Sequence, residues 1–221
     1  MLIILKKTIR GKVEMGLFRK FICQTRKPEG FLGRMMVNGM NGGHAKMADW
    51  GLSHLTGIVP ERIVELGCGG GRNAGELLRR YPNAHVTAVD YSEVSVKKAI
   101  EYNKKMIEAG RCRVQQGDVS DLNLPEERYD LATAFETIYF WPGLEKCFSQ
   151  VAKVLKPGGM FLIVNESDGK DATSLKYEKI IDGMKCHTAE EIEKALNAAG
   201  FSKVKSDHNG SKPWIAVLAR K

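Results

Sequence analysis

Short apolar runs and segments with helical spacing alternate along the chain from residue 61 onward. The apolar runs predict five strands, at 62–66, 84–89, 111–116, 129–135 and 158–165. Helices are predicted at 73–80, 92–109 and 144–155. In the second of these, Ser92 is the N-cap, Gly110 follows the end, and Val96, Ile100 and Ile107 share one face. Because helical crossovers make successive strands parallel, the pattern predicts a doubly wound α/β sheet.

The end of the chain departs from this alternation. Thr188 and Glu191 have the spacing of a capping box, which predicts a helix that runs to Ala199 and stops at Gly200. The strand-like segments "FSKVKSD" and "WIAVLAR" then flank only a short turn. Two strands joined in this way are antiparallel neighbours, so the sheet is expected to hold seven strands and to end in a hairpin.

Two stretches lie outside the predicted sheet and helices, at 30–59 and 166–186. Both are expected near the carboxyl ends of the strands, where ligands bind in open α/β sheets, and both are candidate lid or substrate elements. In the first stretch, His44, Met47 and Trp50 are three residues apart and share one helix face. That face either closes over a ligand or packs on the sheet, with His44 as a helix cap.

Composition indicates a globular enzyme of ordinary type. Of 221 residues, 43% are hydrophobic, which is enough for a core, and no apolar run approaches the roughly 20 residues of a membrane helix. The opening "MLIILKK" is too short for a signal-peptide core, so a cytoplasmic protein is expected. Five scattered cysteines form no CxxC pair, and neither a metal site nor a disulfide framework is indicated.

The formal net charge is +8, and much of the excess lies in the first 34 residues. Such a segment is suited to nucleic acid, acidic lipid or an anionic substrate, but it has few aromatic residues for base stacking. A solvated N-terminus is the favoured interpretation. Met15 is a second possible start, and we expect a division into a basic segment with a helical cover, 1–59, and a main domain, 60–221.

The stretch "VELGCGGG" places four glycines directly after the first predicted strand. The dinucleotide pattern GxGxxG fails because Arg72 occupies its third glycine position, whereas GxGxG is satisfied by Gly67, Gly69 and Gly71. Glu65 precedes the first of these glycines by two residues. A carboxylate there disfavours a pyrophosphate and favours a ligand that bears an ammonium group.

This stretch resembles motif I of the class I S-adenosylmethionine-dependent methyltransferases. Three further landmarks follow in the family's order, "VTAVDYS", "QQGDVSDL" and "LKPGGMFLIV", and the similarity extends from Glu61 to Lys221. The resemblance implies a Rossmann-like, doubly wound, mostly parallel sheet of seven strands with a terminal antiparallel hairpin and an N-terminal helical cover. It also implies S-adenosyl-L-methionine as the cofactor.

The resemblance implies a set of cofactor-binding residues. Asp90 corresponds to the family's ribose-binding acid, and Asp118 to the acid that contacts the adenine. The implied set is Glu65, Gly67, Gly69, Gly71, Asp90, Tyr91, Asp118, Val119, Glu136 and Trp50. Simpler roles stay open: Asp90 as a helix cap, Asp118 as a turn former and Glu65 as a partner of the helix dipole.

The segment "FETIYFWPG" follows the fourth strand, where the family places the methyl acceptor. Glu136 and Tyr139 are the catalytic candidates, His187 is a weaker one, and Phe140 is expected in the core. Methyl transfer is an in-line displacement in which positioning supplies most of the catalysis, so a general base is needed only for an acceptor of high pKa. The acceptor and its reacting atom stay open.

A small-molecule methyltransferase is the leading interpretation. A nucleic-acid or protein substrate is disfavoured because no Asn/Asp-Pro-Pro-aromatic motif follows the fourth strand. A nicotinamide dehydrogenase, against which Arg72 argues, and a non-catalytic S-adenosylmethionine-binding module stay open as well. The sequence leaves the oligomeric state undecided, a homodimer included.

Overall fold

The computed structural model describes residues 28–30, 33 and 44–221. Within that part the strands form one seven-stranded sheet in the order β3-β2-β1-β4-β5-β7-β6. The described elements, in chain order, are α1 (Ala45–Leu52), β1 (Arg62–Leu66), α2 (Arg72–Arg80), β2 (His85–Asp90), α3 (Glu93–Tyr102), α4 (Lys104–Glu108), β3 (Cys112–Gln116), β4 (Tyr129–Phe135), α5 (Leu144–Val154), β5 (Leu155–Asn165), α6 (Ala172–Glu178), α7 (Ala189–Ala198), β6 (Ser202–His208) and β7 (Ile215–Arg220).

The strand pairing confirms the predicted architecture. β3, β2, β1, β4 and β5 are mutually parallel, whereas β7 pairs antiparallel with both β5 and β6. β3 lies at one edge of the sheet, in keeping with its polar sequence. The capping box of Thr188 and Glu191 is present at the start of α7, so the closing helix also begins where the sequence predicts.

The sheet has a separate hydrophobic core on each face. On one face, Phe148 and Val151 of α5 and Ile192 and Leu196 of α7 pack against alternate residues of the strands. On the other face, α1, α2 and α3 contribute Met47, Leu77 and Ala99, among others. This three-layer arrangement is the one that a doubly wound sheet requires, because both faces of its central strands are apolar.

The single helix predicted over 92–109 is wrong, because the chain breaks at Asn103 into α3 and α4. The buried Asn103 amide donates to the carbonyls of Gly71, at 2.9 Å, and Ala99, at 3.1 Å. The predicted apolar face is right at Ile107, which packs against the core, but wrong at Ile100, which is 43% exposed; the buried positions of α3 are Ser95 and Ala99. Small side chains are needed there because the backbone near Gly71 lies directly against α3.

The first described helix, α1, packs on the sheet face that α2 and α3 also cover. Met47, Ala48 and Leu52 are buried in that core, and Gly51 lies so close to Val164 that a Cβ would overlap its methyl groups. The basic residues between positions 6 and 27, Arg34 and the second possible start Met15 fall outside the described residues. The domain division at residue 59 stays a prediction.

Among the described residues, none of the helices combines the length and the apolar character needed to span a bilayer.

An ionisable residue is buried within the central strands. Glu65 of β1 is fully buried, and one of its oxygens accepts a hydrogen bond from the Thr133 hydroxyl of β4. Its other oxygen has no partner among the described residues. Burial raises the pKa of Glu65 to about 8, although the Thr133 contact acts in the opposite direction.

Phe148→Ala is expected to lower the free energy of unfolding by about 3–5 kcal/mol. Phe148 is fully buried and makes edge-to-face contacts with both Trp141 and Phe161. Urea denaturation followed by circular dichroism measures the change. Tyr102→Ala, at a position 58% exposed, is the matched control and is expected to change stability by less than about 1 kcal/mol.

Glu65→Gln is expected to be progressively more stable than the wild type as the pH rises from about 4.5 to 8. The folded-state pKa of Glu65 lies above its unfolded value, so the stability that its proton contributes is complete below pH 4.5 and is lost as pH rises through about 8. Over the full range the change in this difference approaches about 5 kcal/mol at most. Urea titrations of both proteins at pH 5 and pH 8.5 measure it, and equal differences at the two pH values would contradict the assignment.

Candidate active site

A cavity of about 380 Å³ opens at the carboxyl ends of β1, β2 and β4. Its wall is formed by residues from the ends of these strands, from the turn after β3 and from the segments before α1. In open parallel sheets this is where ligands bind, and the volume falls in the usual range for small-molecule sites. The lining includes Pro28, His44, Gly67, Gly69, Arg72, Asp90, Tyr91, Asp118, Val119, Phe135, Glu136, Phe140 and Trp141.

The glycine-rich turn between β1 and α2 has left-handed backbone at three positions. Gly67, Gly69 and Gly71 have φ values of 73°, 51° and 81°, which side chains rarely adopt. Gly67 and Gly69 line the cavity, and a Cβ on Gly67 would collide with the side chain of Thr137. Gly71 does not line it; a Cβ there would lie 2.7 Å from the Ala99 Cα, so this glycine permits helix packing.

Asp90 is placed where the turn and the end of β2 meet. One carboxylate oxygen accepts the Gly69 N–H at 2.8 Å, and the other accepts the Ser92 N–H at 2.8 Å. Burial raises the pKa of Asp90, and these hydrogen bonds oppose that effect. Asp90 therefore caps the start of α3 through Ser92, one of the roles that the sequence leaves open, and it also lines the cavity. Tyr91, Asp118 and Val119 line the same end.

Glu136 lines the cavity immediately after β4, on the opposite side of β1 from Asp90. Its φ of 57° is unusual for a residue with a side chain. One carboxylate oxygen accepts hydrogen bonds from the Tyr139 hydroxyl, at 2.9 Å, and from the Glu166 N–H. Burial raises the pKa of Glu136 to about 7, and the nearby His44 acts in the opposite direction.

Tyr139 does not line the cavity. Its ring is buried, and its hydroxyl also accepts the Ser167 N–H at 3.1 Å. Burial holds the pKa of this hydroxyl well above its usual range. The geometry therefore places Tyr139 behind Glu136 as a support, rather than facing a bound molecule.

Three other predicted residues also lie away from the cavity wall. Trp50 packs against Trp214, with ring centroids 6.1 Å apart, and against His54, so it pins α1 to the rest of the domain. Glu65 is buried in the sheet. His187 is buried at the start of α7, with its Nδ1 3.8 Å from Glu191, and does not line the cavity.

His44 has a more central position than its sequence pattern indicates. The residue occupies the N-cap position of α1, yet its side chain makes no capping hydrogen bond and instead lines the cavity. Glu166 lies beside it, and the sequence identifies only the stretch that Glu166 opens, not the residue itself. Nothing in the local pattern around positions 44 and 166 signals their approach in space.

Two contacts hold the N-terminal segments over the cavity. Arg72 donates to Asp49 of α1 at 2.6 Å, and the buried Ser92 hydroxyl donates to the Pro28 carbonyl at 2.7 Å. Arg72, which replaces the third glycine of a dinucleotide turn, is thus an anchor for α1. The first contact involves the start of α2, and the second involves the residue before α3.

Part of the chain is similar to known methyltransferases. Residues 63–159 match the model of a methyltransferase domain. A sterol 24-C-methyltransferase of Gibberella zeae is 28% identical over 182 residues, which are 76% of this chain and 48% of that protein. A sterol methyltransferase-like protein of Botryococcus braunii is 30% identical over 136 residues, 60% of this chain and 35% of that protein. The chain thus spans about half the length of these curated relatives or less.

Among solved structures, the methyltransferase bound to the Haloferax volcanii Trm112 activator has a TM-score of 0.75 at 18% identity, covering 84% of this chain and 93% of that one. Human N-acetylserotonin methyltransferase, solved with S-adenosylmethionine, has a TM-score of 0.71 at 20% identity, covering 86% and 56%. These likenesses establish the fold. Residues 63–159 therefore form a methyltransferase domain, and the ordered landmarks along the chain identify it as one of the class I S-adenosylmethionine-dependent methyltransferases, whose cofactor is S-adenosylmethionine.

Proposed function

We propose that this protein transfers a methyl group from S-adenosylmethionine to a small-molecule acceptor by in-line displacement. The observation that supports the proposal best is the strand order, which puts two groups of cavity-lining residues on opposite sides of β1. Asp90 and the bare turn make up the first group, or first end, and His44, Glu136, Phe140 and Trp141 make up the second. When bound, the cofactor supplies an electrophilic methyl carbon on a cationic sulfonium sulfur, which leaves as a neutral thioether.

The residues of the first end fit a nucleoside. The Asp90 carboxylate accepts one backbone N–H on each oxygen, which leaves further lone pairs for the two ribose hydroxyls. Gly67 and Gly69 leave the main chain uncovered beside it. Asp118, Val119 and Tyr91 are in position to flank the adenine. Gly71 and Glu65 do not line the cavity. Gly71 permits close packing against α3, and Glu65 is buried within the sheet.

The residues of the second end position the acceptor. Phe140 and Trp141 offer apolar surface, and Glu136 offers a carboxylate whose direction is fixed by Tyr139. Because the reactants are already bound in this orientation, the chemical step no longer carries their loss of translational and rotational entropy. This effect accounts for most of the rate enhancement that such a site needs to supply. A carboxylate at this end disfavours an anionic acceptor group.

Small-molecule acceptors are favoured over nucleic acid because the described charges around the cavity are mostly acidic. Asp90, Asp118 and Glu136 line it, and the lining cation Arg72 is paired with Asp49. A phosphate backbone would be repelled from this wall. A cytoplasmic location and a homodimer stay predictions.

Asp90→Asn is expected to weaken binding of S-adenosylhomocysteine about 100-fold, because one charged acceptor for the ribose hydroxyls is lost. Isothermal calorimetry measures the affinity, and thermal denaturation confirms that the variant is folded. Glu126→Gln removes the same charge from an exposed loop at the other end of β4 and serves as the control. Wild-type affinity in Asp90→Asn would refute the ribose assignment.

Turnover is tested with a panel of acceptors that differ in the reacting atom. Sarcosine, N-acetylserotonin, a thiol, a sterol and benzoate as a simple carboxylate are incubated with the protein and S-adenosylmethionine, and release of S-adenosylhomocysteine is measured. We expect an uncharged or cationic acceptor to be methylated and simple carboxylates to be inert. Tight cofactor binding without turnover of a broad panel would indicate a non-catalytic module, and stabilisation by NAD in its place would indicate a dehydrogenase.

A further inference from the structure

Three titratable side chains from distant parts of the sequence meet at the acceptor end of the cavity. His44 precedes α1, Glu136 follows β4 and Glu166 follows β5. The His44 Nδ1 atom lies 3.4 Å from a Glu166 carboxylate oxygen and 3.7 Å from a Glu136 oxygen. His44 and Glu136 line the cavity itself. We name these three residues the acceptor triad.

The carboxylate of Glu136 is held in one orientation toward His44. Its Oε1 atom accepts from the Tyr139 hydroxyl and the Glu166 N–H, which leaves Oε2 as the oxygen that faces the imidazole. The backbone of Glu136 is left-handed, a strained conformation for a residue with a side chain, and strain of this kind persists where the surrounding structure enforces it, often at functional sites. The hydrogen bonds that Glu136 accepts from the Tyr139 hydroxyl and the Glu166 N–H enforce its conformation.

The ring of His44 is oriented by the same contacts. Its Nδ1 is buried and faces both carboxylates, without a closer polar partner among the described residues. A carboxylate beside one ring nitrogen favours the proton on that nitrogen and leaves the other as an acceptor. In a residue that lines the cavity, Nε2 is then the nitrogen available to a bound molecule.

We infer that His44 is the general base of the methyl transfer and that Glu136 and Glu166 orient it, so that the acceptor is an amine or hydroxyl compound rather than a carboxylate. This inference rests on the proposed methyltransferase function. The acceptor nitrogen or oxygen forms a bond to the methyl carbon as the carbon–sulfur bond breaks, and the electron pair of that broken bond stays on sulfur as a neutral thioether. The proton of the acceptor passes to Nε2 of His44.

The electrostatics around the triad are consistent with this role. The contact with Glu166 raises the pKa of His44, burial lowers it, and the charges of Glu136 and Glu166 raise it further. The Tyr139 hydroxyl contacts Glu136 from behind, and Arg72, which is paired with Asp49, lines the same cavity. Because the pKa of Glu136 is about 7, the triad takes up and releases a proton near neutral pH.

The first test needs no acceptor. Histidine labelled with ¹³C at Cε1 is followed by NMR from pH 5 to 9 in the protein saturated with S-adenosylhomocysteine, and His44→Gln assigns the signal. We expect His44 to titrate above 6.5 and its pKa to fall in both Glu136→Gln and Glu166→Gln, while exposed His85 is unchanged. A His44 signal that titrates at or below 6.5, or that ignores both substitutions, would overturn the inference.

The second test uses the panel compound that the wild type methylates. His44→Gln is expected to lower kcat about 100-fold and to remove the rise of kcat with pH near neutrality, with partial rescue by added imidazole. Affinity for S-adenosylhomocysteine is expected to stay within about threefold of the wild type. His85→Gln, at the opposite end of β2 from Asp90, is the matched control. A kcat close to that of the wild type in His44→Gln would overturn the inference.

A third measurement distinguishes a general base from a metal ligand. It is needed because His44, Glu136 and Glu166 each offer one possible ligand atom, and these atoms lie within 4.8 Å of one another. Titration with Mn²⁺, followed by electron paramagnetic resonance, is expected to show no micromolar site. Micromolar binding that is lost in His44→Gln would reassign the triad as a metal centre and overturn the inference. If the wild type fails to bind S-adenosylhomocysteine, the proposed function itself fails, which calorimetry shows independently of His44.

Discussion

The whole cavity depends on the carboxylate of Asp90. It holds the Gly69 N–H with one oxygen and the Ser92 N–H with the other, so the loop after β1 and the helix start after β2 share a single anion. The cost of burying that charge is offset by these N–H groups, which an uncharged side chain would satisfy less well. The glycines of the turn make the arrangement sterically feasible, and Asn103 extends it to the carbonyl of Gly71.

Most of the scaffold is predictable from the sequence, because its signals are local. Strand β4 has the predicted bounds, α5 ends one residue early, and the capping box fixes the start of α7. The break at Asn103 is not predictable in this way, because it depends on a hydrogen bond to a carbonyl 32 residues away in the chain. Helical periodicity carries no information about such a partner, and it places the apolar Ile100 on the wrong face for the same reason.

The residues of the site differ in how far the sequence predicts them, and the difference has a physical origin. Asp90, Gly67 and Gly69 are identified by spacing, because a ligand held by main chain leaves a fixed interval between glycines and acid. The contact of His44 with Glu166 brings together residues 122 positions apart, through the packing of α1 on β5. The residue types of Tyr139, Trp50 and Glu65 are typical of a binding site. Their side chains nevertheless pack into the protein instead of lining the cavity, and sequence spacing does not reveal this difference.

Helix α1 is attached to the rest of the protein by two kinds of contact that differ in strength. Gly51, near one end, interlocks with Val164 in the core, whereas Asp49 reaches Arg72 through an ion pair that is half exposed on the Asp49 side. Separating a surface ion pair costs far less than unpacking a core contact. Since Met47 and Ala48 are buried as well, loss of this ion pair alone is expected to leave α1, and His44 before it, in place on the sheet.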